Sequence, residues 1–257
     1  MCSDYLVHTN QDEIEKAIGT SIVNKSPKDE WANHVRLTSM APVLSLAGEN
    51  IELHENRFPK YPFPNARLSG LKNSHDSAET EPSNAANSPS HVTEIKRIYE
   101  LPTWLGFKTQ RRLAVMTSFT EFAYWGPQKG FSVEFTIPDS PVFFAAAVGL
   151  EEKRASGQWN EFAILTHTAT PQMLEFHHRL VVLLTKEAAI QYLRGGELRS
   201  PEEKFNELVA IRYVGPLIAK PVKPMAPAWK TRINAQLYKL KQEESYVAAL
   251  KAEGIQG

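Results

Sequence analysis

Apolar side chains recur with strand-like spacing through much of the chain. Residues 131–137 (FSVEFTI) alternate apolar and polar positions, a period of two that predicts a half-buried β-strand. Two apolar runs between residues 35 and 53 flank the turn signal Gly48-Glu49-Asn50, and this order predicts a β-hairpin. Continuous apolar runs, typical of strands buried on both faces, occupy residues 142–150, 161–168 and 180–184. From residue 111 onward the pattern is therefore mostly β.

Helical signals separate these strands. Asn10 suits the cap of a helix over residues 10–18, which Gly19 ends. Further helices are predicted over residues 170–177, opened by Thr170-Pro171, and over 186–193 and 228–253. Strands and helices mix without a regular βαβ alternation, so the predicted fold class is α+β. We expect a strongly curved, mostly antiparallel, barrel-like sheet with short flanking helices.

Two segments do not fit a regular element. Proline recurs through residues 58–64 (FPKYPFP) and removes backbone donors, so we expect an ordered loop that carries aromatic side chains. Residues 70–93 are rich in Ser, Asn, Pro and Ala and bury too little apolar surface to offset the entropy of ordering, which predicts a mobile insertion at about 70–94. The expected organisation is one domain over residues 2–221, with this insertion, and a helical extension over residues 222–257.

Composition limits the partners and the cellular compartment expected for the protein. The 257 residues carry 29 basic and 29 acidic side chains, so no global basic field points to nucleic acid. Charge is uneven, however, because residues 220–242 contain six Lys or Arg and no acid. A single cysteine rules out an internal disulfide, and the chain has neither a membrane-spanning apolar run nor a secretory signal. We expect a reduced, cytoplasmic protein without a membrane partner.

Familiar cofactor and catalytic motifs are missing from the sequence. It has no phosphate loop, no Gly-x-Gly-x-x-Gly, no Gly-x-Ser-x-Gly and no Cys-x-x-Cys. His177 and His178 are adjacent, which places them about 100° apart around a helix, so they cannot easily share a metal ion. Neither a cofactor nor a metal is predicted.

Cys2 is the residue with distinctive chemistry. Removal of Met1, which is usual before a small side chain, leaves a cysteine with a free α-amine. The unperturbed pKa of such an amine is about 7.7–8.0, so much of it is neutral near physiological pH and can form a Schiff base with an aldehyde. The thiol then adds to the imine and closes a five-membered thiazolidine. From position alone, the alternative is a chance residue in a frayed terminus.

Several short motifs accompany Met1-Cys2 in a definite order. They are residues 40–42 (MAP), 65–67 (NAR), 119–122 (FTEF), 162–166 (FAILT) and 176–181 (FHHRLV). In the order and approximate spacing of these motifs, the chain resembles the SOS-response-associated peptidase family, the SRAP domain, over roughly residues 2–215. Members of that family form a stable thiazolidine with the ring-opened aldehyde of an abasic site in single-stranded DNA.

The resemblance implies a catalytic role for four residues. Cys2 would supply both nucleophiles, and Asn65 would hold the N-terminal amine and the opened sugar by hydrogen bonds. Glu121 would donate and accept protons during sugar opening and Schiff-base formation. His177 would act on the sugar oxygen and in reversal of the adduct. Taken singly, Asn65 also suits a turn, Glu121 a solvated strand end and His177 a structural histidine.

The resemblance also implies contacts with DNA. Arg67 and Arg179 would meet flanking phosphates, Arg97 is a weaker candidate of the same kind, and Pro42 would pack at the wall of the site. The chain departs from the family at Ser3-Asp4, where Gly-Arg is usual, and it lacks the usual Trp-Gly before residues 65–67. The implied chemistry is therefore better supported than the implied DNA affinity.

Three functions follow from these expectations. The leading hypothesis is a covalent sensor or shield of abasic sites, with single-stranded DNA as its partner in a bacterial or phage-type intracellular setting, at the nucleoid when bound. A second is a noncovalent DNA-binding module whose chemistry has decayed, suggested by Asp4. A third, an autoproteolytic cysteine peptidase, ranks last because only Met1 precedes Cys2. The sequence does not identify any protein partner.

Overall fold

The computed structural model of the protein describes residues 4–36, 38–58, 92–94, 111–154, 157–195, 210–234, 236–238 and 241. Four of the predicted site residues lie outside these ranges, namely Cys2, Asn65, Arg67 and Arg97. The aromatic loop after Phe58 and the predicted insertion up to residue 91 lie outside them as well.

Strands form most of the described chain. They are β1 (Asp4–Asn10), β2 (Val23–Asn24), β3 (Glu30–Val35), β4 (Met40–Ala47), β5 (Asn50–Arg57), β6 (Val92–Glu94), β7 (Arg111–Met116), β8 (Ser118–Phe122), β9 (Phe131–Thr136), β10 (Phe143–Arg154), β11 (Gly157–Thr168), β12 (Arg179–Val181), β13 (Leu183–Leu184) and β14 (Ile218–Pro224). Within the described ranges they form a five-stranded sheet, in the order β14-β9-β8-β1-β3, and a nine-stranded sheet. The main path of the larger sheet is β12-β11-β10-β7-β4-β5-β2, with β13 paired to β10 and β6 to β11.

The larger sheet curls until it closes on itself. β11, β10, β7, β4 and β5 pair in sequence, and β5 returns to β11 through the parallel pairing of Arg57 with Glu161. The other pairings of this ring are antiparallel. β7 is buried at every position, because both of its faces are covered. The expected strongly curved, mostly antiparallel, barrel-like core is confirmed.

Aromatic side chains join the two sheets in one core. Phe58 lies between Tyr5 of the smaller sheet, 5.7 Å away between ring centroids, and Phe162 of the larger one, 5.3 Å away. Phe119 and Phe135 stack at 5.2 Å on neighbouring strands of the smaller sheet. All five side chains are essentially buried, so they anchor β8 and β9 against the barrel.

The two longest described helices match the predicted positions. In α1 (Gln11–Ile18), the Asn10 side chain accepts a hydrogen bond from Glu13 N–H, and Gly19 follows at a φ of 74°. α2 (Lys186–Arg194) has Thr185 as its N-cap. Residues 229–234 and 236–238 of the extension are also helical. Among the described residues, no helix is long and apolar enough to cross a membrane.

Three local predictions need correction. The expected helix over residues 170–177 is a single 3-10 turn, Met173–Glu175, because the Phe176 and His177 N–H groups both donate to Met173 O and the chain then enters β12. The expected strand over 180–184 is divided at Val182, whose N–H donates to Leu165 O and whose carbonyl accepts from Ala146 N–H. In β9 the alternation fails at its start, where Phe131 is 39% exposed and Ser132 is buried.

Candidate functional site

Glu121 is placed by the pairing of three strands. It lies in β8, between β1 and β9, opposite Val133 of β9. Its side chain is 4% exposed, so burial of the carboxylate must be compensated by polar partners. One partner is local, because Phe122 N–H donates to Glu121 Oε1 over 2.9 Å.

His177 faces this carboxylate from the segment that follows the 3-10 turn. Its side chain is fully buried, and Nε2 lies 3.9 Å from Glu121 Oε1. His177 Nδ1 lies 3.1 Å from Arg179 N and 3.2 Å from Arg179 O, and these backbone contacts direct Nε2 toward Glu121. The 3.9 Å separation is longer than a hydrogen bond, and a small shift of either side chain closes it. The structure thus brings together two of the predicted catalytic residues as a buried acid–histidine pair.

Aromatic rings cover His177. Trp125 stacks on the imidazole, with 6.4 Å between ring centroids and 6° between planes, and Tyr124 lies at 5.9 Å. Both residues belong to the turn between β8 and β9, which packs on the 3-10 turn because Trp125 Nε1–H donates to Leu174 O and Tyr124 N–H donates to Phe176 O. These contacts fix the histidine in one orientation and exclude water from one of its faces.

Tyr124 is a site residue that the sequence prediction missed. Burial raises the pKa of the Tyr124 phenol above 10.0, and the charge of Glu121 raises it further, whereas Arg232 lowers it through its charge and a hydrogen bond. The phenol is therefore protonated at neutral pH and can donate a hydrogen bond. The available signal was the aromatic pair Tyr124-Trp125 directly before the turn residues Gly126-Pro127.

The predicted DNA-contacting residues that the structure describes are both buried. Arg179 is 6% exposed, and its Nη2 donates to Thr166 O over 2.7 Å and to Thr166 Oγ1 over 3.1 Å. Pro42 is buried in β4, opposite Glu55 of β5. Arg179 thus lies two residues after His177, with its guanidinium anchored to β11, and its phosphate contact stays a prediction.

Asp4, the acid at a position where the family usually has arginine, has a defined environment. β1 begins at Asp4, which pairs with Thr120 of β8 and so lies next to Glu121 along the sheet. Asp4 Oδ2 is 3.1 Å from His34 Nε2, and His34 Nδ1 is 3.0 Å from an Arg36 guanidinium nitrogen. Since arginine only donates, the neutral His34 ring carries its proton on Nε2 and donates it to Asp4. Within the described ranges, no group of three or more His, Cys, Asp or Glu could hold a metal ion.

Comparison with known proteins finds one matching family model and similar solved structures. A family model described as SOS response associated peptidase (SRAP) matches residues 1–225. The chain is similar to a crystal structure of a protein from Bordetella bronchiseptica, with a TM-score of 0.60 and 17% identity over 86% of this chain and 100% of that one. A crystal structure of a protein from Bacteroides thetaiotaomicron has a TM-score of 0.60 and 15% identity over 86% of this chain and 92% of that one. No curated protein matches the sequence.

Proposed function

The chain belongs to the SOS response associated peptidase (SRAP) family, and from this premise we propose that it captures abasic sites in single-stranded DNA through a thiazolidine at Cys2. The observation that carries the proposal is the buried Glu121–His177 pair, with 3.9 Å between Oε1 and Nε2. A paired acid and imidazole sheltered from water are suited to moving protons during ring opening and imine formation. A solvated surface pair would have no such use.

The position of β1 supports a role for Cys2 beside this pair. β1 begins at Asp4, opposite Thr120, which directly precedes Glu121 in β8. Cys2 stands two residues before Asp4, and two residues span about 7 Å at most. We therefore propose that its amine and thiol act at the end of β1 nearest to Glu121.

The proposed reaction proceeds in three steps. Glu121 and His177 assist opening of the abasic sugar, which exposes the C1′ aldehyde. The neutral α-amine of Cys2 attacks that carbon, and loss of one water molecule leaves an imine. The Cys2 Sγ then adds to the imine carbon while the thiol proton goes to the nitrogen, which closes the thiazolidine. One water molecule is lost overall, and no oxidant, metal or cofactor is required.

Intact-protein mass spectrometry tests the proposal directly. The protein is incubated with a single-stranded oligonucleotide that carries one abasic site, and the same oligonucleotide without the lesion serves as the control. We expect loss of Met1 and an adduct that survives denaturation and weighs one water less than the sum of its parts. Cys2→Ala should form none. Cys2→Ser, which keeps the amine, should give at most an imine that is lost unless it is reduced.

Glu121→Gln tests whether adduct formation needs proton transfer by Glu121 in addition to the nucleophiles of Cys2. Loss of a proton-transfer group typically slows a step by about 100-fold or more, so we expect adduct formation to slow on that scale. A denaturation-resistant adduct in Cys2→Ala would refute the proposal. Removal of Met1 without any adduct in the native sequence would refute it too, and the chain would then be an SRAP fold without this chemistry.

A further inference from the structure

The extension that follows the family match lies close to the candidate site. The family model ends at residue 225, whereas the chain continues to residue 257. β14 pairs with β9 up to Pro224, opposite Phe131, and Met225 N–H donates to Gly130 O over 2.7 Å. The extension therefore starts beside residues 123–130, the turn that carries Tyr124 and Trp125.

Trp229 docks the extension on this turn. A Cβ at Gly130 would lie 3.1 Å from the Trp229 indole, so the ring lies directly against the glycine backbone. Lys129 Nζ lies 5.8 Å from the centre of the same ring, a cation–π contact. Residues 229–234 are helical, and the side chains of Trp229 and Arg232 share a face because they are three positions apart.

Arg232 thereby reaches the covered side of the acid–histidine pair. The Tyr124 phenol lies close enough for the charge of Arg232 to lower its pKa, and the Tyr124 ring lies 5.9 Å from the His177 ring. Arg232 is nevertheless solvent-exposed, like Lys129 and Lys230 near it. Exposed cations at the edge of a buried catalytic pair form a surface whose electrostatic complement is an anion.

We propose that Arg232 binds a backbone phosphate of the single-stranded DNA whose abasic sugar occupies the Glu121–His177 site. This rests on the proposed function for the identity of the strand. Trp229 docks the extension on the turn that carries Tyr124, which keeps the Arg232 guanidinium, a planar donor group suited to two phosphate oxygens, near the rim of the site. The extension thus contributes one residue of the DNA-binding surface, in addition to the arginines that the family motifs imply.

The test measures binding apart from capture. Affinity for a single-stranded oligonucleotide with a tetrahydrofuran abasic analogue, which has no aldehyde, is followed by fluorescence anisotropy over a series of salt concentrations. Each phosphate contact on a single strand contributes about 0.7 to the slope of log affinity against log salt. Arg232→Ala should therefore lower that slope by about 0.7 and weaken binding on the order of ten-fold at low salt. Arg232→Lys should keep the slope and lose part of the affinity, because it keeps only the charge.

Lys16→Ala is the matched control, since it removes one exposed cation from the last turn of α1, at the far end of β1 from Glu121. An Arg232→Ala slope equal to that of Lys16→Ala would overturn the inference. Failure of the proposed function looks different: reactive abasic DNA would give no adduct in any variant, while the effect of Arg232 on the analogue would persist.

Discussion

At the scale of single residues, some site residues could be predicted from the sequence and others could not. Glu121 and His177 stand in short motifs whose order along the chain resembles a family, so both were predicted and the structure brings them together. Tyr124 and Arg232 meet only through the docking of the extension on a turn. No local pattern encodes a contact between segments so far apart in the sequence, and it was not predicted.

Burial of the Tyr124 phenol should make the free energy of unfolding depend on pH in the alkaline range. The Tyr124 pKa is raised above 10.0 in the folded protein, first by burial and then by Glu121. A raised pKa means that this stability is fully present below pH 10 and is lost as pH rises through the folded value, because the unfolded chain releases its proton first. Urea unfolding between about pH 8 and 11 should therefore show a steeper loss in the native sequence than in Tyr124→Phe.

Two further tyrosines bear on this measurement, one as a second contributor and one as a control. Burial also raises the pKa of Tyr213, so Tyr124→Phe should reduce the alkaline loss and not abolish it. Tyr238→Phe removes a phenol that is 64% exposed and should leave the pH dependence as it is. Equal alkaline losses in the native sequence and in Tyr124→Phe would show that the phenol is not buried beside Glu121 as described.

At the scale of elements, local signals predicted most of what lies close in sequence. α1, α2, the β4–β5 hairpin and strand β9 lie where capping, turn and alternation patterns indicated. The parallel return of β5 to β11 at Arg57 and Glu161 carries no such signal, because it joins distant residues and its register depends on how the whole sheet curls. The helix over residues 170–177 was predicted too long, because Thr170-Pro171 marks where a helix starts and says nothing about its length.

Contact between the β8–β9 turn and the 3-10 turn should be essential for holding His177. Gly126 has a φ of 74°, and a Cβ there would overlap the Glu175 carbonyl oxygen, two residues before the histidine. Gly126→Ala should therefore cost the strain of a left-handed alanine, about 1–2 kcal/mol, plus about 1–3 kcal/mol for the clash. Chemical denaturation measures the total, and adduct formation should slow because Trp125 and His177 move apart.

Gly48 offers a control with nearly the same backbone strain. Its φ is 60°, and a Cβ there would meet nothing within 4 Å. Gly48→Ala should cost only about 1–2 kcal/mol, with normal adduct formation. If the two variants lost equal stability, the steric part of the explanation for Gly126 would be wrong.

At the scale of the whole molecule, the described core ends before the extension begins. Among the residues that the structure describes, the buried apolar core runs from Tyr5 to Leu217. β14 crosses residue 221, where the sequence suggested a boundary, and the family match reaches residue 225. We therefore propose that the domain includes all of β14 and that the separable extension starts after Met225. Hydropathy alone could not define this limit, because β14 is almost fully exposed and contains Pro221 and Pro224.

Two shortened chains test this division of the molecule. A chain ending at Met225 loses the half-buried Trp229 and the exposed Arg232 but keeps every described core residue, so it should fold with a loss of about 1–2 kcal/mol. It should still capture abasic DNA, with the reduced salt slope of Arg232→Ala. A chain ending at Gly215 also loses β14, which bares the edge of β9, and it loses the pair of hydrogen bonds between Leu217 and Gln172.

The second chain should therefore unfold or aggregate, as judged by circular dichroism and size-exclusion chromatography. The two shortened chains test the extension and β14 separately. If the chain ending at Met225 failed to fold, the extension would be part of the domain core, and the effect of Arg232 on DNA binding could not be separated from stability. If the chain ending at Gly215 folded and captured DNA normally, β14 would be dispensable, and the smaller sheet would position Glu121 through β1, β8 and β9 alone.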